Sequence, residues 1–130
     1  MRIGELAERT GTTTRALRYY EGLGLLPARR TANGYRSYDG SDQRLVEEIR
    51  SLLEIGFALE ETRPFVECLR SGHAAGDECP DSVAVYRRKL TEIDGLSARL
   101  ALVRAHLESQ LAKLNALPVE ESTCSVQRTT

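Results

Sequence analysis

The sequence predicts a mainly α-helical chain: a head of short helices carrying one small β-hairpin, followed by a single long helix. Three observations carry this. Two short amphipathic stretches flank a glycine within the first twenty-one residues. An Asn33-Gly34 pair sits between two short extended runs. An apolar stripe of helical period runs from Val83 to Leu114.

Ile3-Gly4-Glu5-Leu6-Ala7-Glu8-Arg9 reads as a helix with Ile3, Leu6 and Ala7 on one face. Gly11 follows, where a helix end favours a left-handed residue. Thr12 or Thr13 then caps a second helix running to about Glu21. Its apolar side is Ala16, Leu17 and Tyr20; its other side carries Thr13, Thr14, Arg15, Arg18 and Tyr19. Two short helices joined by a tight glycine turn are the helix-turn-helix signature. Gly22-Leu23-Gly24-Leu25-Leu26-Pro27 ends the second helix. The hairpin comes next, as residues 28–31, the Asn33-Gly34 turn and residues 35–38. Arg29, Arg30 and Arg36, with Tyr35 and Tyr38, put charge and aromatic rings on this ribbon.

Ser41 or Asp42 is the expected cap of a third helix, whose buried stripe is Leu45, Val46, Ile49, Leu52 and Leu53. Gly56 stops it. A fourth helix spans about 59–71 with Phe65, Val66 and Leu69 inward. Pro64 fits it only near a first turn, so this helix starts late or kinks. Residues 72–78 are a loop. Pro80 then opens the longest element. Its stripe is Val83, Tyr86, Leu90, Ile93, Leu96, Leu100, Val103, Leu107, Leu111 and Leu114, spaced by threes and fours as in a coiled-coil seam. At about 1.5 Å per residue, a helix over 81–116 is roughly 54 Å long. A second copy of the same helix would cover that stripe; the alternative folds it back on its own head. Gly95 is its weak point, costing about 1 kcal/mol relative to Ala. The expected boundaries are a winged helix-turn-helix domain over 1–71, a loop over 72–80, a coiled-coil dimerisation helix over 81–117 and a polar, flexible tail over 118–130.

With no Trp and two Phe, the core must be mainly Leu, Ile, Val and Ala. No apolar run is long enough to cross a bilayer. The N-terminus lacks a signal-peptide apolar region, which makes the cytoplasm the expected address. Net charge is −1, which alone argues against a nucleic-acid partner. Its distribution argues the other way. From Arg9 to Arg44 there are seven Arg (9, 15, 18, 29, 30, 36, 44) against Glu21, Asp39 and Asp42. A local basic patch makes a phosphate-binding face on a near-neutral protein, and arginine suits two-pronged contacts to phosphate or guanine. A solvated, salt-bridged surface is the alternative reading of the same charges.

On duplex DNA, exposed Arg15 and Arg18 would face the major groove, where arginine grips guanine O6 and N7 with two hydrogen bonds. Thr13 and Thr14 would reach phosphate or a thymine methyl, helped by the free N–H groups of the helix start. Tyr19, Arg30, Tyr35, Arg36 and Tyr38 are placed for phosphates, which fix register without reading sequence. Arg44 is either a further phosphate contact or a surface charge.

The order of elements resembles that of the MerR family of bacterial transcription regulators. The residues that carry the resemblance are Ile3-Gly4-Glu5-Leu6-Ala7, Thr14-Arg15-Ala16-Leu17-Arg18-Tyr19-Tyr20-Glu21, Gly24-Leu25-Leu26, Asn33-Gly34-Tyr35-Arg36-Ser37-Tyr38 and Leu53-Glu54-Ile55-Gly56-Phe57. It covers about residues 1–70, and the long helix matches in position and length. The resemblance implies a homodimer whose helix-turn-helix and hairpin wing grip each half of a near-palindromic operator. It also implies activation by bending and untwisting a promoter whose spacer is too long for RNA polymerase, although some relatives repress. An architectural, excisionase-like DNA-binding protein is the competing class, and the long helix argues against it. The basic head argues against a pure protein-interaction coiled coil. No phosphate-binding glycine loop, nucleophile motif or acid–base cluster points to an enzyme.

The chain ends soon after the long helix, so no separate ligand-binding domain is expected, and the clustered cysteines of iron–sulfur relatives are absent. Cys68, Cys79 and Cys124 are odd in number and widely spaced, which does not suggest a secreted disulfide framework. Cys68 reads as a small core residue. Cys79 before the long helix and Cys124 after it occupy the two regions from which metal-sensing relatives draw ligands across the dimer. His73 could add a nitrogen, and thiolates favour soft metals. Thiol oxidation at the same cysteines is a second effector reading. A single tail cysteine departs from the metal-binding pattern, so no metal is assigned, and inert cysteines with an unknown effector are the third. His106, within the long helix, reads as solvated or packed.

Overall fold

A computed structural model describes residues 1–116, apart from the side chain of Arg30. Helix α1 (Ile3–Thr10) ends at Gly11, which takes φ 69° and donates its N–H to the carbonyls of Ala7 and Glu8. That left-handed turn carries no steric penalty only in glycine. Thr13 accepts from the N–H of Ala16 at 3.1 Å and opens α2 (Thr14–Gly22). Strands β1 (Arg29–Arg30) and β2 (Arg36–Ser37) pair antiparallel, Arg29 with Ser37 and Arg30 with Arg36. The N–H of Thr31 reaches the carbonyl of Tyr35, and Gly34 turns the chain with φ 85°. The N–H of Tyr38 then donates to the carbonyl of Met1 at 2.8 Å, which ties the hairpin to the start of α1.

Helix α3 (Gly40–Glu54) begins earlier than the sequence suggests. Its cap is Asp39, not Ser41 or Asp42. The Asp39 carboxylate accepts from the N–H groups of Ser41 and Asp42, and the Asp42 carboxylate accepts from the N–H of Asp39 in return. Such a reciprocal box satisfies two end donors at once. Leu45, Val46, Ile49 and Leu52 are buried along the expected stripe. The Pro64 conflict is resolved by division: a 3₁₀ turn (Leu59–Thr62) precedes α4 (Arg63–Arg70), and Pro64 falls in the first turn of α4. Helix α5 runs without interruption from Pro80 to Ala116.

Two compact units divide the chain, Met1–Arg88 and Lys89–Thr130. In the first, Leu6, Leu17, Leu25, Leu26, Val46, Ile49 and Val66 form one apolar cluster. Leu52, Phe57, Phe65 and Val85 form a second, against which Tyr86 packs. The start of α5 therefore belongs to the head. Ser82 and Val85 are buried there, and the Tyr86 ring lies 5.2 Å from that of Phe65. This differs from the sequence reading, which ended the head at residue 71 and placed Tyr86 in the dimerisation seam. In the second unit, Leu90, Ile93, Leu96, Leu100, Val103, Leu107, Leu111 and Leu114 are all exposed. No helix among the described residues is long and apolar enough to cross a membrane.

Candidate nucleic-acid interface

Burial of Leu17 and Tyr20 fixes how α2 is rotated. Arg15, Arg18 and Tyr19 are left on its exposed face, with Arg15 and Arg18 one turn apart and thus neighbours on the surface. Among the described residues, neither guanidinium has an ion pair or hydrogen bond. Thr13 is exposed at the helix start, but its hydroxyl oxygen already accepts from Ala16; Thr14 is half-buried.

Four other arginines of the basic segment, Arg9, Arg29, Arg36 and Arg44, are engaged. Arg9 pairs with Glu5 at 2.9 Å. Arg29 reaches Asp39 at 3.2 Å and the fully buried Asp42 at 2.7 Å, which bolts β1 to the start of α3. Arg44 donates to the carbonyl of Ala74 at 2.6 Å. Arg36 Nε lies 3.4 Å from Glu21 Oε1, close enough for an ion pair but outside hydrogen-bond geometry. The backbone of Arg30 is fixed opposite Arg36, while its side chain lies outside the described atoms.

Tyr38 is a correction. The sequence reading made it a phosphate contact, yet it is 2% exposed and its hydroxyl donates to Glu21 Oε2 at 2.5 Å. Burial, and then the hydrogen bond to Glu21, push its phenol far above the ordinary range. It locks the wing to α2 and leaves the candidate contact set. Tyr35, by contrast, is exposed, and the guanidinium of Arg2 lies 4.3 Å from its ring centroid, within cation–π range. Arg2 is the residue that sequence reasoning missed. It lies outside the counted basic segment, and only the Met1–Tyr38 pairing brings it beside the wing.

The carboxylates behind this face are held in opposite ways. The Ser41 hydroxyl, and then the Asp42 N–H, hold Asp39 down at about 2. Burial pushes Asp42 up despite its contact with Arg29. Both carboxylates anchor the hairpin, not the exposed face.

A second cluster stands at the α4–α5 connection. Cys68, in the last turn of α4, and Cys79, just before Pro80, are joined as a disulfide with Cα atoms 5.9 Å apart. The sequence reading of Cys68 as a small core residue captured its burial but not its partner. Gly72, at φ 99°, reverses the chain, and Glu78 accepts from the N–H groups of Ala74 and Ala75 to hold the loop. His73 comes to 3.6 Å (Nδ1) and 3.9 Å (Nε2) from Cys79 Sγ. Its Nδ1 is also 3.2 Å from the carbonyl oxygen of Cys68. Cys124, the other effector candidate, lies outside the described residues.

Residues 1–67 match the family model described as MerR HTH family regulatory protein. The nodulation protein NolA of Bradyrhizobium elkanii is 41% identical over 107 residues, covering 82% of this chain and 44% of that one. The chain spans about half the length of the NolA proteins it matches. The HTH-type transcriptional regulator HmrR of Rhizobium leguminosarum bv. viciae is 34% identical over 108 residues, 83% of this chain and 81% of that one. Among solved structures, HiNmlR is described as a MerR family regulator lacking the sensor domain, bound to promoter DNA. It shares the fold with a TM-score of 0.54 at 24% identity, over 91% of this chain and 96% of that one. With its first half matching the family model and its length matching HmrR, the chain belongs to the MerR family of helix-turn-helix regulatory proteins.

Proposed function

We propose that this chain is a transcription regulator that binds double-stranded promoter DNA as a homodimer. The observation that carries the reading is the exposed face of α2, on which Arg15 and Arg18 are without a side-chain partner among the described residues. Arg9, Arg29, Arg36 and Arg44 of the same segment are held by acids or carbonyls of the fold. In this reading Arg15 and Arg18 enter the major groove, while Thr13, Thr14 and Tyr19 meet the flanking backbone. The wing adds Tyr35, Arg36 and Arg30 against phosphate, with Arg2 stacked on Tyr35. Arg44 is a phosphate contact only if it releases the carbonyl of Ala74.

Dimerisation follows from the second unit. Eight large apolar side chains from Leu90 to Leu114 are exposed on one helix stripe, and a second copy buries them with the seam spacing of a two-stranded coiled coil. Two heads held at a fixed separation call for a near-palindromic operator. Distorting a promoter spacer costs several kcal/mol, to be offset by phosphate contacts on both wings; realigning the promoter for RNA polymerase is the proposed route to activation. An architectural DNA-binding role without signal response is the second reading, and the exposed seam of α5 argues against it. Footprinting the purified chain on the DNA upstream of its own gene tests the proposal. Protection of two symmetric half-sites supports it, and absence of protection in dilute salt contradicts it.

A further inference from the structure

We propose that Cys68, His73 and Cys79, with both sulfurs reduced, form a binding site for one thiophilic divalent cation within a single protomer. Each residue offers one ligand atom, and these atoms lie within 4.8 Å of one another. The three come from different pieces of chain: the last turn of α4, the following loop and the residue preceding α5. Their spacing therefore reflects the folded connection and not a local turn motif.

The histidine carries the argument furthest. Its Nδ1 sits 3.2 Å from the carbonyl oxygen of Cys68. With Nδ1–H donating there, Nε2 keeps its lone pair; Cys79 Sγ lies 3.6 Å from Nδ1 and 3.9 Å from Nε2, so a turn of the ring brings Nε2 to face the sulfurs. Imidazoles that bind metal are oriented in this way, the other ring nitrogen donating to a carbonyl or carboxylate. Tetrahedral bonds of about 2.3 Å to sulfur and about 2.0 Å to nitrogen put neighbouring ligand atoms roughly 3.5–3.8 Å apart. The bonded sulfurs must first be reduced and move apart to reach that spacing, while the imidazole already lies within 4.8 Å of both. Two thiolates neutralise a divalent ion, and thiolate with imidazole selects zinc, cobalt or cadmium over magnesium or calcium. The N-terminal end of α5 also favours the Cys79 thiolate. Three protein ligands leave the fourth position to water or a small anion. Two nearby carboxylates are engaged: Glu78 accepts from Ala74 and Ala75, and Asp77 from the Tyr86 hydroxyl; Asp81, in the first turn of α5, is exposed.

The disulfide is the metal-free, oxidised form of the same site. Two molecules of a small thiol reduce it, giving two protein thiols and one small-molecule disulfide. The dithiol then takes up the cation and releases two protons. A bound cation slows reoxidation, because each thiolate shares a lone pair with the metal and the two sulfurs are held apart. A regulatory role for this site rests on the promoter-binding reading above, whereas cation binding does not.

The test uses the full chain, reduced with a small thiol, desalted without oxygen and titrated with cobalt(II). The expected result is sulfur-to-cobalt charge transfer in the near ultraviolet and intense tetrahedral bands in the visible, saturating at one cobalt per chain and bleached by zinc. Cys79→Ser abolishes the bands, His73→Ala weakens binding at least tenfold, and Cys124→Ser leaves both unchanged. Because Cys68 is buried, Cys68→Ser is read only with an unchanged circular dichroism spectrum; exposed His73 serves as the independent variant. No bands from the reduced chain overturns the proposal. So does retention in His73→Ala with loss in Cys124→Ser, which places the ligands elsewhere. Footprinting the same samples separates the two claims. Protection of the promoter without cobalt binding sinks the site alone, and cobalt binding without protection sinks the regulator reading alone.

Discussion

Among the described residues the Arg15 and Arg18 side chains have no partner, unlike Arg9, Arg29, Arg36 and Arg44, and that difference is the ground for proposing them as DNA contacts. Arg18→Ala is expected to cost about 1–3 kcal/mol on the specific duplex and to relax base preference. Arg36→Ala is expected to weaken specific and random duplexes alike, in a variant whose circular dichroism is unchanged. Anisotropy titrations on both duplexes separate the cases, and equal losses on both for Arg18→Ala would remove it from base reading. Asp39 belongs to stability instead. Its ordinary value is near 3.8 and its folded value about 2, so its contribution is complete above the ordinary value and lost as pH falls through about 2. Asp39→Ala is expected to lower stability by about 1 kcal/mol at neutral pH through loss of the cap, and to flatten that acid limb in urea melts taken at several pH values. The expected cap was Ser41 or Asp42, and propensity alone does not separate these from the neighbouring Asp39 that the fold uses. The structure chooses Asp39 because Asp42 is drawn inward to Arg29. Tyr38 was misplaced for a related reason. A tyrosine just after a two-residue strand faces water or core according to the local register, and here the Met1 pairing and Glu21 turn it inward.

Among the elements, the helix-turn-helix was the most legible. Gly11, Thr13 and the pair Leu17 and Tyr20 each state a local geometry that the fold keeps. The start of α5 was less so. Period alone ran the seam back through Tyr86, but Phe57 and Phe65 take that ring into the head. The α4–α5 disulfide was not legible, because cysteine spacing never specifies connectivity; the reversal at Gly72 supplies it. Gly95 sits inside α5, where an added Cβ would meet nothing within 4 Å. Gly95→Ala is therefore expected to stabilise the helix by about 1 kcal/mol, seen as a higher thermal midpoint. Leu100→Asp, in the exposed stripe, is expected to shift the chain to monomer at micromolar concentration by sedimentation. A dimer unaffected by Leu100→Asp would place the interface off the stripe.

For the whole molecule, a net charge of −1 hides a basic first third and an acidic remainder. Phosphate contacts from two heads should make affinity fall steeply with salt, because each neutralised phosphate releases a counterion. Doubling the heads also squares the demand on geometry: both half-sites must fit at once, so changing the half-site spacing should abolish tight binding while each isolated half-site remains weakly bound.

The stoichiometry and selectivity of the duplex complex test the central claim most directly. Sedimentation of the purified chain with its upstream promoter duplex should give two chains per duplex, bound on the order of a thousandfold or more tighter than a random duplex of equal length. One chain per duplex, or equal affinity for the random sequence, would contradict the account.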